Sequence, residues 1–353
     1  PDAVKVLAER IRAEIGKAYQ IGGIECWVSA SIGVSLFPTD GEDADLLLRR
    51  ADAAMYHAKA AGRNHVSFFQ RAMNDTAVER FEMVNGLREA IRSGELILDF
   101  QPQVDVATER LIAAETLVRW RHPSRGIVSP GEFITLAEDT GMIVDLGEWV
   151  LRNACEAAAS WTQLPDVGVA VNISARQLEQ ESFLESVEGI LRETGLAPGR
   201  LELELTESFA ANESMIEALS RLRQAGVRTA IDDFGCGYSS LALIKRLPAD
   251  TLKIDQSFVQ GITNDRRDVV ILESLVRIAR GLDFQVIAEG VETLEQMDTL
   301  LSLGCTRLQG YLLGKPFSRE SFVREVTRPD ALWRLAIERP EAWAPPQEES
   351  NSS

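Results

Sequence analysis

Cysteine is scarce and scattered. Cys26, Cys155, Cys236 and Cys305 form no Cys-x-x-Cys pair, which excludes a thiolate zinc site or a disulfide framework as an organising element and leaves reduced, cytosolic thiols as the expectation. Histidine is scarcer still, and His57, His65 and His122 show no ligand spacing. Positive charge is in deficit: 37 Lys and Arg face 54 Asp and Glu, a net charge of -17 that argues against a broad phosphate-gripping surface for DNA or RNA. No apolar run approaches the roughly 20 residues that cross a bilayer, and no signal-peptide pattern opens the chain, so no membrane contact and a cytoplasmic location are expected. Asp233-Phe234-Gly235 lacks the glycine-rich loop, strand lysine and His-Arg-Asp element that a kinase requires.

What is present is ordinary globular composition, 45% hydrophobic and 26% charged, in a chain of 353 residues. That length accommodates two domains, one of them a barrel of roughly 250 residues. Residues 1–72 read as a helix from Val4 to Ile15, a strand through Cys26 to Ser35, a turn at Pro38-Thr39-Asp40-Gly41, a helix from Ala44 to Ala61 and a strand from His65 to Phe69. The second helix carries Leu47, Leu48, Ala51, Ala54, Met55 and Ala58 at helical spacing and stops at Gly62. So short an α/β piece buries little surface and is read as part of a domain. Residues 73–92 read as a connector helix with Val78, Phe81, Val84, Leu87 and Ile91 on its packing face.

From residue 93 to about 330, apolar strand-like runs alternate with helical ones. The strands are expected at Leu96–Gln101, Leu111–Val118, Val167–Ser174, Leu201–Glu207, Arg228–Phe234, Thr251–Asp255, Gln285–Glu289 and Leu308–Leu312. Eight strands with intervening helices predict a (β/α)8, TIM-like barrel. Residues 331–353 are a C-terminal extension, expected to be disordered from Pro340.

Ionisable residues recur where an apolar run ends: Glu115, Asn172, Glu204, Glu207, Asp232, Asp233, Lys253, Asp255, Glu289 and Glu292. In a barrel those ends converge on one rim. Crowded carboxylates repel one another, and divalent cations remove the conflict; oxygen ligands with one amide favour magnesium or manganese over zinc. Neighbours on a strand point to opposite faces, so Asp232 and Asp233 reach one site only if the strand ends or bulges there, a turn that Gly235 and Gly237 make feasible. Two metals about 3.5–4 Å apart share a water, lower its pKa and clamp a phosphodiester displacement. Lys253 adds a positive group that orients the nucleophile or stabilises developing charge. A structural ion-pair network is the competing reading, against which stands the shortage of basic residues in these motifs. Glu202 and Glu138 are read as merely solvated, and the six tryptophans as packing anchors.

These segments resemble the EAL domain, whose members are cyclic di-GMP phosphodiesterases with a (β/α)8-type barrel. The resemblance spans about residues 85–328 and is carried by Gln101-Pro102, Glu115-Thr116-Leu117-Val118-Arg119-Trp120, Asn172-Ile173-Ser174, Glu204-Leu205-Thr206-Glu207, Asp232-Asp233-Phe234-Gly235-Cys236-Gly237-Tyr238-Ser239-Ser240, Lys253-Ile254-Asp255, Ala288-Glu289-Gly290-Val291-Glu292 and Gln309-Gly310-Tyr311. It implies that Glu115, Asn172, Glu204 and Asp232 ligate one Mg2+ or Mn2+, and that Asp232, Asp233 and Glu289 hold a second. Lys253 then contacts the catalytic water, so that Lys253, Glu289 and Glu115 are the catalytic set. Gln101, Arg119, Asp255, Glu292 and Gln309 match positions that bind the dinucleotide, and Glu207 matches one that steadies the loop after Asp233. That loop, through Ser240, lies near a dimer contact in the family, which implies a homodimer through this domain. Two positions depart from the pattern, Thr116 where Ala is usual and Cys236 where Thr is common; neither removes a ligand, so activity is expected to survive.

Residues 3–72 resemble the C-terminal part of a GGDEF domain, which makes cyclic di-GMP, on Ser31-Ile32-Gly33-Val34, Phe37-Pro38, Asp40-Gly41, Ala51-Asp52-Ala53-Ala54-Met55-Tyr56, Ala58-Lys59 and Gly62-Arg63-Asn64. The Gly-Gly-Asp-Glu-Phe signature is absent, so no cyclase is expected. The resemblance implies hydrolysis of cyclic di-GMP to linear pGpG by a metal-activated water. The alternative is a weak or inactive cyclic di-GMP receptor that signals through the connector helix, motivated by Thr116 and the incomplete N-terminal domain; a scaffold with no ligand is the third class.

Overall fold

The computed structural model describes residues 2–21, 24–26, 28–60, 64–70, 72–206, 213–235, 246–263 and 265–338. The chain divides into two compact units, Pro1–Gly86 and Leu87–Ser353, with the boundary inside a helix that runs Ala72–Ser93. Among the described side chains of that helix Met83, Leu87 and Ala90 are buried and Val84 and Ile91 half-buried, whereas Phe81, expected on the same packing face, is 68% exposed.

In the first unit a helix Asp2–Ile15 precedes the antiparallel hairpin of β1 (Tyr19–Ile21) and β2 (Ile24–Cys26). β3 (Ile32–Val34) then pairs in parallel with β4 (Val66–Phe68), and the helix Ala44–Ala60 joins them. The single strand expected from Cys26 to Ser35 is therefore two, each with a different partner. Ala54 and Ala58 are buried, as their spacing requires, but Leu48 is 65% exposed. Gly62 lies outside the described residues.

The second unit is built on β5 (Leu96–Asp105), β6 (Arg110–His122), β7 (Gly126–Val128), β8 (Gly168–Asn172), β9 (Leu201–Thr206), β10 (Arg228–Phe234), β11 (Thr251–Ile254), β12 (Gln285–Ala288), β13 (Arg307–Gln309) and β14 (Phe317–Ser318). The sheet order β5-β13-β12-β11-β10-β9-β8-β6 closes on itself through the β5–β6 pairing, giving an eight-stranded barrel with β7 and β14 as additions. All eight expected strands form. β6 and β8 to β13 run parallel, but β5 is antiparallel to both its neighbours. Only Val106 to Glu109 separate β5 from β6, and a parallel connection needs a dozen residues or more, so a hairpin is the sole closure available.

Helices cover the outside and bury alternate strand residues. The helix Ile143–Ser160 packs Leu146, Val150, Leu151 and Ala154 inward. At its C-terminal end Trp161 packs with Phe100 and Phe322, edge-to-face with Phe100 at 5.3 Å, the packing role expected of it; Trp27 and Trp343 lie outside the described residues. The helix Leu332–Glu338 adds Trp333 and Ala336 to the core around β10 to β13, so the C-terminal extension begins as part of the barrel unit. The expected disorder from Pro340 lies outside the described residues.

Candidate active site

The strand β9 reads Leu-Glu-Leu-Glu-Leu-Thr, and alternation sends its leucines outward and its glutamates into the barrel. Glu204 is fully buried. Across the interior, skipping over β10, Lys253 of β11 donates to Glu204 Oε2 at 2.8 Å. The same Nζ lies 2.6 Å from Glu289 Oε1, 3.2 Å from Asp232 Oδ1 and 3.8 Å from Glu115 Oε1. Among the described residues, one ammonium therefore serves four carboxylates.

Asp232 and Asp233 sit in a bulge. Ile231 pairs with Leu252 and Phe234 with Ile254, so two residues of β10 oppose the single Lys253 of β11. Asp233 takes φ +53, a left-handed conformation that Asp tolerates, and its N–H donates to Asp232 Oδ1 at 2.9 Å. Gly235 follows at φ +100, where a side chain would be strained. This is the irregularity required for both carboxylates to reach one rim.

Glu115 is gripped on both oxygens. Asn172 Nδ2 donates to Oε1 at 2.9 Å, and Gln309 Nε2 donates to Oε2. Gln309 Nε2 also donates to Gln101 Oε1 at 3.2 Å, Gln101 Nε2 donates to the Gly314 carbonyl at 3.2 Å, and Gln103 Nε2 donates to Gln309 Oε1 at 2.9 Å. Gln103 was not singled out from the sequence. Its signal was there, since it stands two residues from Gln101 in an extended strand and so shares its face.

The rim is held by the segments that continue from the strand ends. Ser174 and Thr293 form capping boxes with Gln177 and Gln296, and Asp255 caps the helix Gln256–Gln260 by accepting from Ser257 N at 3.0 Å. Gln296 Oε1 also accepts from the Glu292 N–H at 2.8 Å, which pins the segment after Glu289. At Gly310 any Cβ would lie 2.1 Å from the Val291 carbonyl oxygen, so only glycine lets that segment lie against the end of β13.

Of the remaining expected residues, Arg119 lies four residues beyond Glu115 on the same side of β6, with Nε 3.4 Å from Asp99. Glu292 is exposed at the rim. Glu207 and the loop Cys236–Ser240 lie outside the described residues. Glu202 contradicts its solvated reading: it is 3% exposed and accepts from Thr251 Oγ1 at 3.1 Å, with Arg228 Nε 3.8 Å away. It shares the inward face of Glu204 one layer deeper, so alternation along β9 buries both. Cys155 and Cys305 are buried free thiols, each pushed up to about 12 by burial.

The electrostatics derive from crowding. Burial pushes the Glu204 carboxyl well above the ordinary range; Lys253 opposes this, and Glu115 and Asp232 reinforce it. Burial likewise lifts Glu289 to about 7, against the pull of Lys253, with Asp232 and Glu115 adding to the rise. Asp233 is raised by burial, then by Asp232 and Asp255. For Lys253 burial works against the charge, yet the surrounding carboxylates hold its ammonium well above the usual lysine range. Among the described residues no three His, Cys, Asp or Glu side chains stand as a ready metal cage; four carboxylates lie around Lys253. The donor set nonetheless fits a hard cation: it is all oxygen, it is under-neutralised, and Glu204 Oε1 is buried without a hydrogen-bond partner.

Comparison with known families and proteins places the barrel unit in a family. The EAL domain model matches residues 84–316, and the model for the diguanylate cyclase GGDEF domain matches residues 1–65. Over 330 residues the chain is 42% identical to the bifunctional diguanylate cyclase/cyclic di-GMP phosphodiesterase MucR of Pseudomonas aeruginosa, covering 92% of this chain and 48% of MucR. It is 40% identical over 326 residues to the cyclic di-GMP phosphodiesterase NbdA of the same organism, covering 90% of this chain and 42% of NbdA. The chain thus spans about half the length of these curated relatives. The solved MucR phosphodiesterase in complex with c-di-GMP superposes with a TM-score of 0.66 at 42% identity, covering 68% of this chain and 99% of that one.

Proposed function

The chain belongs to the EAL domain family, and from that premise we propose that its barrel is a divalent-metal-dependent phosphodiesterase that hydrolyses one phosphodiester of cyclic di-GMP to linear pGpG. The observation that carries the reading is the under-neutralised rim, where the Lys253 ammonium faces Glu115, Glu204, Asp232 and Glu289. Glu115, Asn172, Glu204 and Asp232 would hold one Mg2+ or Mn2+, and Asp232, Asp233 and Glu289 a second. Such ions would supply Lewis acidity there, lowering the pKa of a water and offsetting charge on the phosphodiester.

The chain's own groups do the rest. Asn172 and Gln309 keep the Glu115 carboxylate turned, one oxygen each. Lys253 exchanges part of its carboxylate contacts for the attacking water and holds that water's oxygen. Gln101, Gln309, Arg119, Asp255 and Glu292 seat the dinucleotide, and Arg119 supplies cationic donors for a phosphate. The active form is a homodimer through the barrel unit, which sedimentation with and without cyclic di-GMP would test.

The receptor alternative draws no support from Thr116. Its side chain is buried on the opposite face of β6 from Glu115, and the strand keeps its register with Phe100 on one side and Val171 on the other. Incubation of the purified chain with cyclic di-GMP and Mg2+ or Mn2+, followed by chromatography, should yield linear product that disappears on chelation. Tight binding without turnover would establish the receptor instead, and neither would establish the scaffold. Turnover that persists unchanged in Glu115→Ala would defeat the site assignment.

A further inference from the structure

The amide ladder on the barrel's inner wall has a direction. Glu115 can only accept, so Gln309 must turn its nitrogen toward it. That nitrogen has two hydrogens, and both are used, on Glu115 Oε2 and Gln101 Oε1. The Gln309 carbonyl is thereby aimed away from Glu115, at Gln103, which pairs directly with it across β5 and β13. Gln103 Nε2 donates to that carbonyl, yet Gln103 is fully buried and its own Oε1 has no hydrogen-bond partner. A buried amide with an orphaned acceptor is a poor filler for an inner wall. Among the described residues, the bond to Gln309 is what its side chain supplies in return.

We infer that Gln103 is a positioning residue for the metal site. It holds the Gln309 amide in the orientation that donates to Glu115 Oε2, and so keeps Glu115 Oε1 turned toward Asn172 and Lys253. Without a donor at position 103, the Gln309 amide keeps its two donated bonds but its carbonyl loses the partner that fixes the side chain from behind. The side chain is then less tightly held, and the anchor it gives Glu115 Oε2 is weakened. The consequence for metal binding rests on the proposed function; the amide orientation does not. Residues that fix a ligand from behind typically change metal affinity by about 10–100-fold when replaced.

The test uses the full chain labelled with 15N-glutamine, read by NMR without metal and by Mn2+ binding in EPR. Gln103→Met removes the donor. Gln103→Leu removes it with a differently shaped apolar side chain, so the two variants together separate a packing role from a donor role even if one of them folds poorly. Both should move the Gln309 side-chain amide resonances and weaken Mn2+ binding by about 10–100-fold. In a Gln309→Leu background, replacing Gln103 should change Mn2+ affinity by less than about twofold, because the two act as one unit. Unmoved Gln309 resonances in a folded variant would overturn the inference, as would a loss equally large in the Gln309→Leu background. A parent chain that takes up no Mn2+ while its Gln309 resonances still respond would sink the metal reading and leave the amide's positioning standing.

Discussion

Two glutamates one layer apart on the same inward face of β9 meet different surroundings. Glu202 is 3% exposed and sits with a Thr251 hydroxyl and the Arg228 guanidinium. Glu204, one layer nearer the rim, shares Lys253 with three further carboxylates and keeps one oxygen unpartnered. Burial of a carboxylate is common to both. What distinguishes the rim is that cations are outnumbered there, and that imbalance is the feature a divalent ion would relieve.

Removing the cation should widen the contrast most. Lys253→Met leaves four crowded carboxylates without a partner, and should destabilise the metal-free chain by about 3–5 kcal/mol, read by denaturant unfolding. Added Mn2+ should recover much of that loss while turnover stays abolished. A stability close to that of the parent would mean the rim is not under strain.

The lower layer should behave as ordinary structure. Glu202→Ala leaves the Thr251 hydroxyl without its acceptor and should cost about 1–3 kcal/mol, with kcat unchanged. Glu204→Gln should do the reverse: turnover is lost, while metal-free stability at neutral pH rises by about 0.5–2 kcal/mol because a disfavoured buried charge is gone. If both substitutions shifted stability in the same direction, the distinction between the layers would fail.

pH sharpens the same contrast. Burial and its neighbours lift Glu289 to about 7 from an ordinary 4.5, so between those values the folded chain holds a proton that the unfolded chain releases. The contribution is fully present below about 4.5 and is lost as pH rises through about 7. Melting in EDTA should therefore show the parent falling relative to Glu289→Gln across that window, and saturating Mg2+ should flatten the difference. The smallest effect belongs to Thr116, whose buried Oγ1 has no hydrogen-bond partner. Thr116→Ala should stabilise the chain by about 1 kcal/mol and leave turnover intact.

Much of this was legible in residue order. The strands were readable because polar residues punctuate the apolar runs, and the Asp232-Asp233 pair demanded a bulge that the β10–β11 register supplies. The antiparallel β5 was implied by the four residues before Arg110, but only once the strand was seen to run on past Gln101 to Asp105. Glu202 was misread because solvated glutamates are the commoner case, although Leu-Glu-Leu-Glu already placed it beside Glu204. Phe81 was misplaced because helical periodicity defines a stripe without saying which neighbour covers it.

By itself, the order of residues determined the element pattern, the barrel and the acidic character of its rim, since periodicity and turn chemistry act between near neighbours. Tertiary structure alone decided that Lys253 would stand among Glu115, Glu204, Asp232 and Glu289, and that Gln103 would meet Gln309, 206 positions away. Contacts across a closed barrel depend on strand register and stagger, which are set only when the last strand pairs with the first.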